Sequence, residues 1–184
     1  KGQGENMDDD SFFIVKKRAV PEVLLKVVEA KGIKADVCAG LSLGEYGALA
    51  AAKVMELKDL FHLIRMRGIL MQEAYPVGGA MTAVLGMDAD KIKEICDNTE
   101  GIVTIANYNC PGQIVITGEE KAVVAAAEAL SAAGAKRCIP LKVSGPFHSP
   151  LLVGAGEKLE PVLNEVYIDE ITVPYISNVT ADYV

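Results

Sequence analysis

The stretch Ala35-Asp36-Val37-Cys38-Ala39-Gly40-Leu41-Ser42-Leu43-Gly44-Glu45 joins a short apolar run to an Ala-rich one through a G-x-S-x-G turn. Ala35–Ala39, bounded by Lys34 and Gly40, has the length and apolarity of a strand buried in a parallel sheet. Glu45–Ala52 is rich in helix formers, so a strand, a tight turn and a helix are expected in succession. A serine on such a turn occupies a strained backbone position, and flanking glycines let neighbouring chain pass close. Ser42 is therefore the candidate nucleophile, with its hydroxyl projecting at the C-terminal edge of a sheet. The N–H of Leu43, at the start of the following helix, is placed to face a developing oxyanion. As a bare pattern G-x-S-x-G also arises in ordinary Ala/Gly-rich turns. Its place between a strand and a helix is what gives it weight.

Upstream, a helical pattern begins at Pro21, with Val23, Leu24, Val27 and Val28 on one face and Gly32 as its stop. Residues 1–18 hold an acidic cluster, Asp8-Asp9-Asp10, and a short apolar run, Phe12–Val15, whose context is not evident. Downstream, Leu57–Tyr75 reads as a longer amphipathic helix ending before Pro76-Val77-Gly78-Gly79. A different rhythm then runs from Ala80 to Leu141. Strands are expected at Ala80–Leu85, Ile102–Asn107, Gln113–Thr117 and Lys136–Leu141, with helices at Asp88–Asn98 and Glu119–Ala133. That β-α-β-β-α-β order is the split βαβ pattern. The expected fold is α/β: a hydrolase-like parallel-sheet core formed by 1–78 and 142–184, with an inserted ferredoxin-like (βαββαβ) subdomain over 79–141. A helix at Gly154–Val166, interrupted by Gly156 and Pro161, and a strand around Val173–Asn178 complete the core.

Composition bounds the function. The chain has 184 residues, 51 % of them hydrophobic, which supplies a buried interior and excludes disorder as the dominant state. Lys plus Arg number 18 against 25 Asp plus Glu, a net charge of −7 that argues against nucleic acid as a partner. No apolar stretch approaches the ~18–20 residues needed to cross a bilayer, so no membrane association is expected. The opening residues contain no apolar segment of the kind a signal peptide carries. The cysteines, Cys38, Cys96, Cys110 and Cys138, form no C-x-x-C pair, and the histidines are His62 and His148 alone. Neither a structural metal site nor a disulfide framework is expected, and a reduced, cytoplasmic setting follows.

A serine hydroxyl needs a base. His62 sits inside the Leu57–Tyr75 helix and reads best as a partly buried helix residue. His148 lies in Ser144-Gly145-Pro146-Phe147-His148-Ser149-Pro150, directly after a predicted strand, where catalytic groups concentrate. A loop histidine by itself is more often only solvated. As the remaining partner for Ser42, His148 is the favoured base.

Four segments, Gly40-Leu41-Ser42-Leu43-Gly44-Glu45-Tyr46, Arg65-Met66-Arg67-Gly68, Asn107-Tyr108-Asn109-Cys110-Pro111-Gly112-Gln113 and Gly145-Pro146-Phe147-His148, occur in that order. Together they resemble the malonyl-CoA:acyl-carrier-protein transacylase family, over roughly Val20 to Val184. The resemblance implies a ping-pong transfer from malonyl-CoA to acyl carrier protein in fatty acid biosynthesis, with no metal or redox cofactor. Ser42 would form a malonyl ester and His148 would shuttle the proton. Arg67 matches the family arginine that holds the malonyl carboxylate, a task suited to a planar guanidinium fork. Outside the family context Arg67 would read as a surface helix arginine, and Arg65 points to another helix face. Gly2-Gln3-Gly4 echoes the family G-Q-G whose glutamine N–H completes the oxyanion hole, though here it stands closer to Ser42 than in relatives. Phe147 resembles the malonyl-selective form of its loop. Asn109 is a candidate for the coenzyme A groove, with turn formation as the simpler reading.

The resemblance also leads one to expect more chain at both ends: strands and helices between Gln3 and Ser42, and, past Val184, the carbonyl that orients the histidine. Two alternatives keep the same Ser-His pair. One is an acyltransferase domain of a polyketide synthase. The other is a serine hydrolase or thioesterase, which would need an acidic orienter for His148 and would have no use for Arg67.

Overall fold

Apolar spacing, capping residues and tight turns set the elements of the computed structural model, which describes residues 24–143 and 145–184. The Phe12–Val15 run and Gln3 lie outside those residues. By its internal contacts the chain divides into two compact units. One comprises the described part of Lys1–Ile69 together with Leu159–Val184, and the other is Leu70–Lys158.

In the first unit, helix α1 covers 24–30 and strand β1 is Cys38–Ala39, followed by helix α2 over Leu43–Ala51. Helix α3, Leu57–Ala74, runs on into the second unit. Near the chain's end, β6 (Tyr175–Ile176) pairs in parallel with β1, Cys38 opposite Tyr175 and Ala39 opposite Ile176. Both strands are shorter than the apolar runs that announced them. Val37 is exposed, and Ser177 Oγ accepts the N–H groups of Val179 and Thr180, turning the chain out of the extended form. Cys38, Ala48, Ala52, Val54 and Tyr175 form a buried cluster under the turn between β1 and α2. On α3, Leu60, Leu63 and Ile64 recur at helical spacing and are fully buried.

The second unit runs β2 (Gly79–Leu85), α4 (Ala89–Asp97), β3 (Val103–Cys110), β4 (Gln113–Glu119), α5 (Glu120–Ala132) and β5 (Arg137–Pro140). The four strands form one antiparallel sheet in the order β3-β4-β2-β5. Strand alternation sorts the side chains between its two faces. Val84, Ile114 and Ile116 meet Ile92 and Cys96 of α4 and Ala122, Val123, Ala126 and Leu130 of α5. The opposite face gathers Met81, Ala83 and Val115, with Phe147 packed on it. Asp88 caps α4 by accepting the Asp90 N–H at 3.0 Å. Between β3 and β4 the turn is Pro111-Gly112, with Gly112 at φ 78°, as a Pro-Gly turn requires. The turn-forming role considered for Asn109 is therefore taken by Pro111-Gly112, and Asn109 stays in β3.

A 3₁₀ turn, Pro150–Leu152, leads into α6, Val153–Asn164, whose last residues belong to the first unit. Pro161 is accommodated inside α6 near its C-terminal end. Parallel and antiparallel pairing thus coexist in a mixed α/β architecture. Among the described residues no helix is long and apolar enough to cross a membrane.

Candidate active site

Ser42 stands at the N-cap of α2 with φ 51° and ψ −112°, a conformation that side-chain-bearing residues rarely adopt. Its hydroxyl makes no capping bond to the helix, unlike an ordinary N-cap serine. The first glycine of the motif is required by close approach. A Cβ on Gly40 would lie 2.1 Å from the Gly44 carbonyl oxygen and 2.5 Å from the Glu45 nitrogen. A Cβ on Gly44 would meet nothing within 4 Å. Leu43 opens α2, so its N–H belongs to the helix N-terminus, where the peptide dipoles favour negative charge.

Arg67, on α3, brings Nη2 to 3.5 Å from Ser42 Oγ. Burial pulls the guanidinium below its ordinary value, and the neighbouring Tyr46 opposes this. An arginine nonetheless stays protonated at neutral pH. Burial raises the Tyr46 phenol, the Arg67 charge lowers it and Glu45 raises it again. Arg65 and His62, on the same helix, are exposed.

Three further residues belong to this constellation, and sequence reading assigned them no role. Asn178, after β6, accepts the Ser42 N–H on its side-chain oxygen at 2.8 Å. The Glu45 carboxylate accepts the Asn178 backbone N–H at 2.9 Å, and the Tyr175 hydroxyl also donates to it. Burial, then the bond to Glu45 and its charge, push the Tyr175 phenol up to about 12. The available signal was a polar Ser177-Asn178 directly after an apolar strand, at the sheet edge where parallel α/β folds carry their sites.

His148 and Asn109 belong to the second unit. His148 is exposed and adopts φ 62°. Among the described residues the non-glycine positions with positive φ are Ser42, Lys53, His148 and Ala181, so both halves of the expected Ser-His pair are in this group. The loop before His148 is anchored: Pro146 is fully buried against Gly79, where any Cβ would lie 2.4 Å from the proline Cδ, and Phe147 packs on the sheet. Asn109 is exposed on β3.

The site thus has a strained serine between a parallel strand and a helix, with an arginine beside it. The acyl transferase domain family matches residues 15–184, and the chain belongs to that family. It is 52 % identical over 163 residues to a malonyl CoA-acyl carrier protein transacylase of Bacillus subtilis, covering 86 % of this chain and 51 % of that protein. A protein of the same name from Staphylococcus aureus is 42 % identical over 155 residues, covering 82 % of this chain and 50 % of its own length. The chain thus spans about half the length of these curated relatives. Among solved structures, a malonyl CoA-acyl carrier protein transacylase from Clostridium perfringens superposes with a TM-score of 0.91 at 38 % identity, over 97 % of this chain and 57 % of that one. A malonyl-transacylase in complex with a type II polyketide synthase acyl-carrier protein gives 0.92 at 39 %, over 100 % and 61 %.

Proposed function

We propose that the protein transfers a malonyl group from malonyl-CoA to the phosphopantetheine thiol of acyl carrier protein, in fatty acid biosynthesis. Ser42 Oγ attacks the thioester carbonyl while His148 takes its proton. The carbon–sulfur bond breaks, His148 returns the proton to the departing coenzyme A thiolate, and a malonyl-serine ester remains. The carrier thiol then attacks that ester as His148 accepts its proton and passes it to Ser42. Leu43 and Gln3 supply the N–H groups for the oxyanion. No step requires a metal, a redox cofactor, nucleic acid or a membrane, and the setting is cytoplasmic.

The observation that carries this reading is the half-buried Arg67 guanidinium beside Ser42 Oγ. A fixed cation next to the nucleophile suits an acyl group ending in a carboxylate, and it penalises an acetyl group that leaves the charge unmatched. The family and the names of its relatives support the same substrate pair. Phe147 fills its loop and discourages methyl-branched substrates, and Asn109 lines the coenzyme A groove. The strand order and helix placement of the second unit support a ferredoxin-like subdomain over 79–141, and the parallel β1–β6 pair followed by α2 supports a hydrolase-like core formed by 1–78 and 142–184. Comparing acceptors tests the activity. Transfer to carrier thiol should far exceed transfer to water, and rapid malonyl-CoA hydrolysis unaffected by carrier protein would favour the hydrolase instead.

A further inference from the structure

Parallel pairing of β1 and β6 sends both chains out at the same edge of the sheet, so the turn holding Ser42 and the turn holding Asn178 emerge side by side. The strained backbone of Ser42 has to be held by its surroundings, since such conformations persist only where neighbouring structure over-determines them. Its N–H is directed at Asn178 Oδ1, 2.8 Å away and 136 positions distant in sequence. Asn178 is itself fixed. Its backbone N–H donates to Glu45 Oε1 at 2.9 Å, and the buried Tyr175 hydroxyl donates to the same oxygen. Glu45 sits one turn into α2, the helix that Ser42 caps. The closed path Ser42–Asn178–Glu45 therefore ties both ends of the elbow to one residue just past β6.

From this geometry we infer that Asn178 is a positioning residue for Ser42: its side-chain oxygen, held by Glu45 and Tyr175, locks the strained turn that aims the hydroxyl at the acyl group. The inference rests on Ser42 being the nucleophile. It adds that the aim is set from the distant strand and is not intrinsic to the G-x-S-x-G turn. Displacing a nucleophile by about 1 Å costs on the order of 10²-fold in rate without weakening substrate binding.

The test is single-turnover acylation by malonyl-CoA, followed by intact mass spectrometry, in the parent and in Ser42→Ala, Asn178→Ala, Asn178→Asp and Glu45→Gln. Thermal melting of each variant reports its folded fraction. Asn178→Ala should acylate on the order of 10²-fold more slowly at saturating malonyl-CoA, with the half-saturating concentration unchanged. Asn178→Asp and Glu45→Gln, which keep acceptor oxygens in place, should recover most of the rate. Acylation of Asn178→Ala near the parent rate would overturn the inference. So would an equal loss in Asn178→Ala and Asn178→Asp, or a loss that merely follows the folded fraction. If Ser42→Ala still acquires the adduct, the nucleophile assignment itself is wrong, an outcome separate from the others.

Discussion

Arg67 is one side chain with two readings, and its surroundings decide between them. A surface arginine on an amphipathic helix would be extended into solvent, as Arg65 is. Arg67 is instead half-buried, with Nη2 3.5 Å from Ser42 Oγ. That contact is long for a hydrogen bond and leaves the planar fork able to engage a carboxylate. Arg67→Ala should therefore lower malonyl transfer by an order of magnitude or more while leaving acetyl transfer unchanged or raised. Parallel kinetics with both thioesters check this, and an equal fall in the two rates would contradict a carboxylate clamp. His148→Ala should slow acylation by ~10²–10⁴-fold, the range for loss of a positioned base. The sequence exposed Ser42 through its flanking glycines, whereas Arg67 carried no local signal and drew its meaning from resemblance. Asn178 went unassigned because its partner is a backbone N–H far away in the chain, which no local pattern records.

Elements were most legible where periodicity was long. α3, expected over Leu57–Tyr75, spans Leu57–Ala74, and α4 lies between its caps Asp88 and Asn98. The β2-to-β5 run appeared in the expected order because its central strands, β2 and β4, are short apolar runs buried on both faces of the sheet and bounded by turn residues. β1 and β6 were overextended, since apolarity reports burial and not how many residues find a ladder partner. The turn from β1 into α2 also separates two glycines that look equivalent in the motif. Gly40→Ala would drive a methyl group into the Gly44 carbonyl, so this variant should be severely destabilised. Gly44→Ala meets open space in a helix and should stabilise the fold by about 0.5–1 kcal/mol. Denaturant titration distinguishes the two, and equal destabilisation would contradict the close-approach account.

Across the whole molecule, buried acids make stability sensitive to alkali. Burial, with the charge of Asp97 adding to it, pushes the Cys96 thiol from 9.0 to about 11. Burial and Glu45 push the Tyr175 phenol from 10.0 to about 12. Folding therefore retains protons that the unfolded chain releases. The corresponding stability is complete below about pH 9 for the thiol and about pH 10 for the phenol, and it is lost as pH climbs through the folded-state values. The stability difference between parent and Cys96→Ala should accordingly shrink between about pH 9 and about pH 11. A difference that stays constant over that window would contradict it.

The most direct measurement for the protein as a whole is intact mass spectrometry after brief exposure to malonyl-CoA, with the adduct mapped by proteolysis. One malonyl group on Ser42, absent from Ser42→Ala and discharged by holo acyl carrier protein, is the result expected. An adduct on another residue, or one that water removes as fast as the carrier does, would contradict transfer through Ser42.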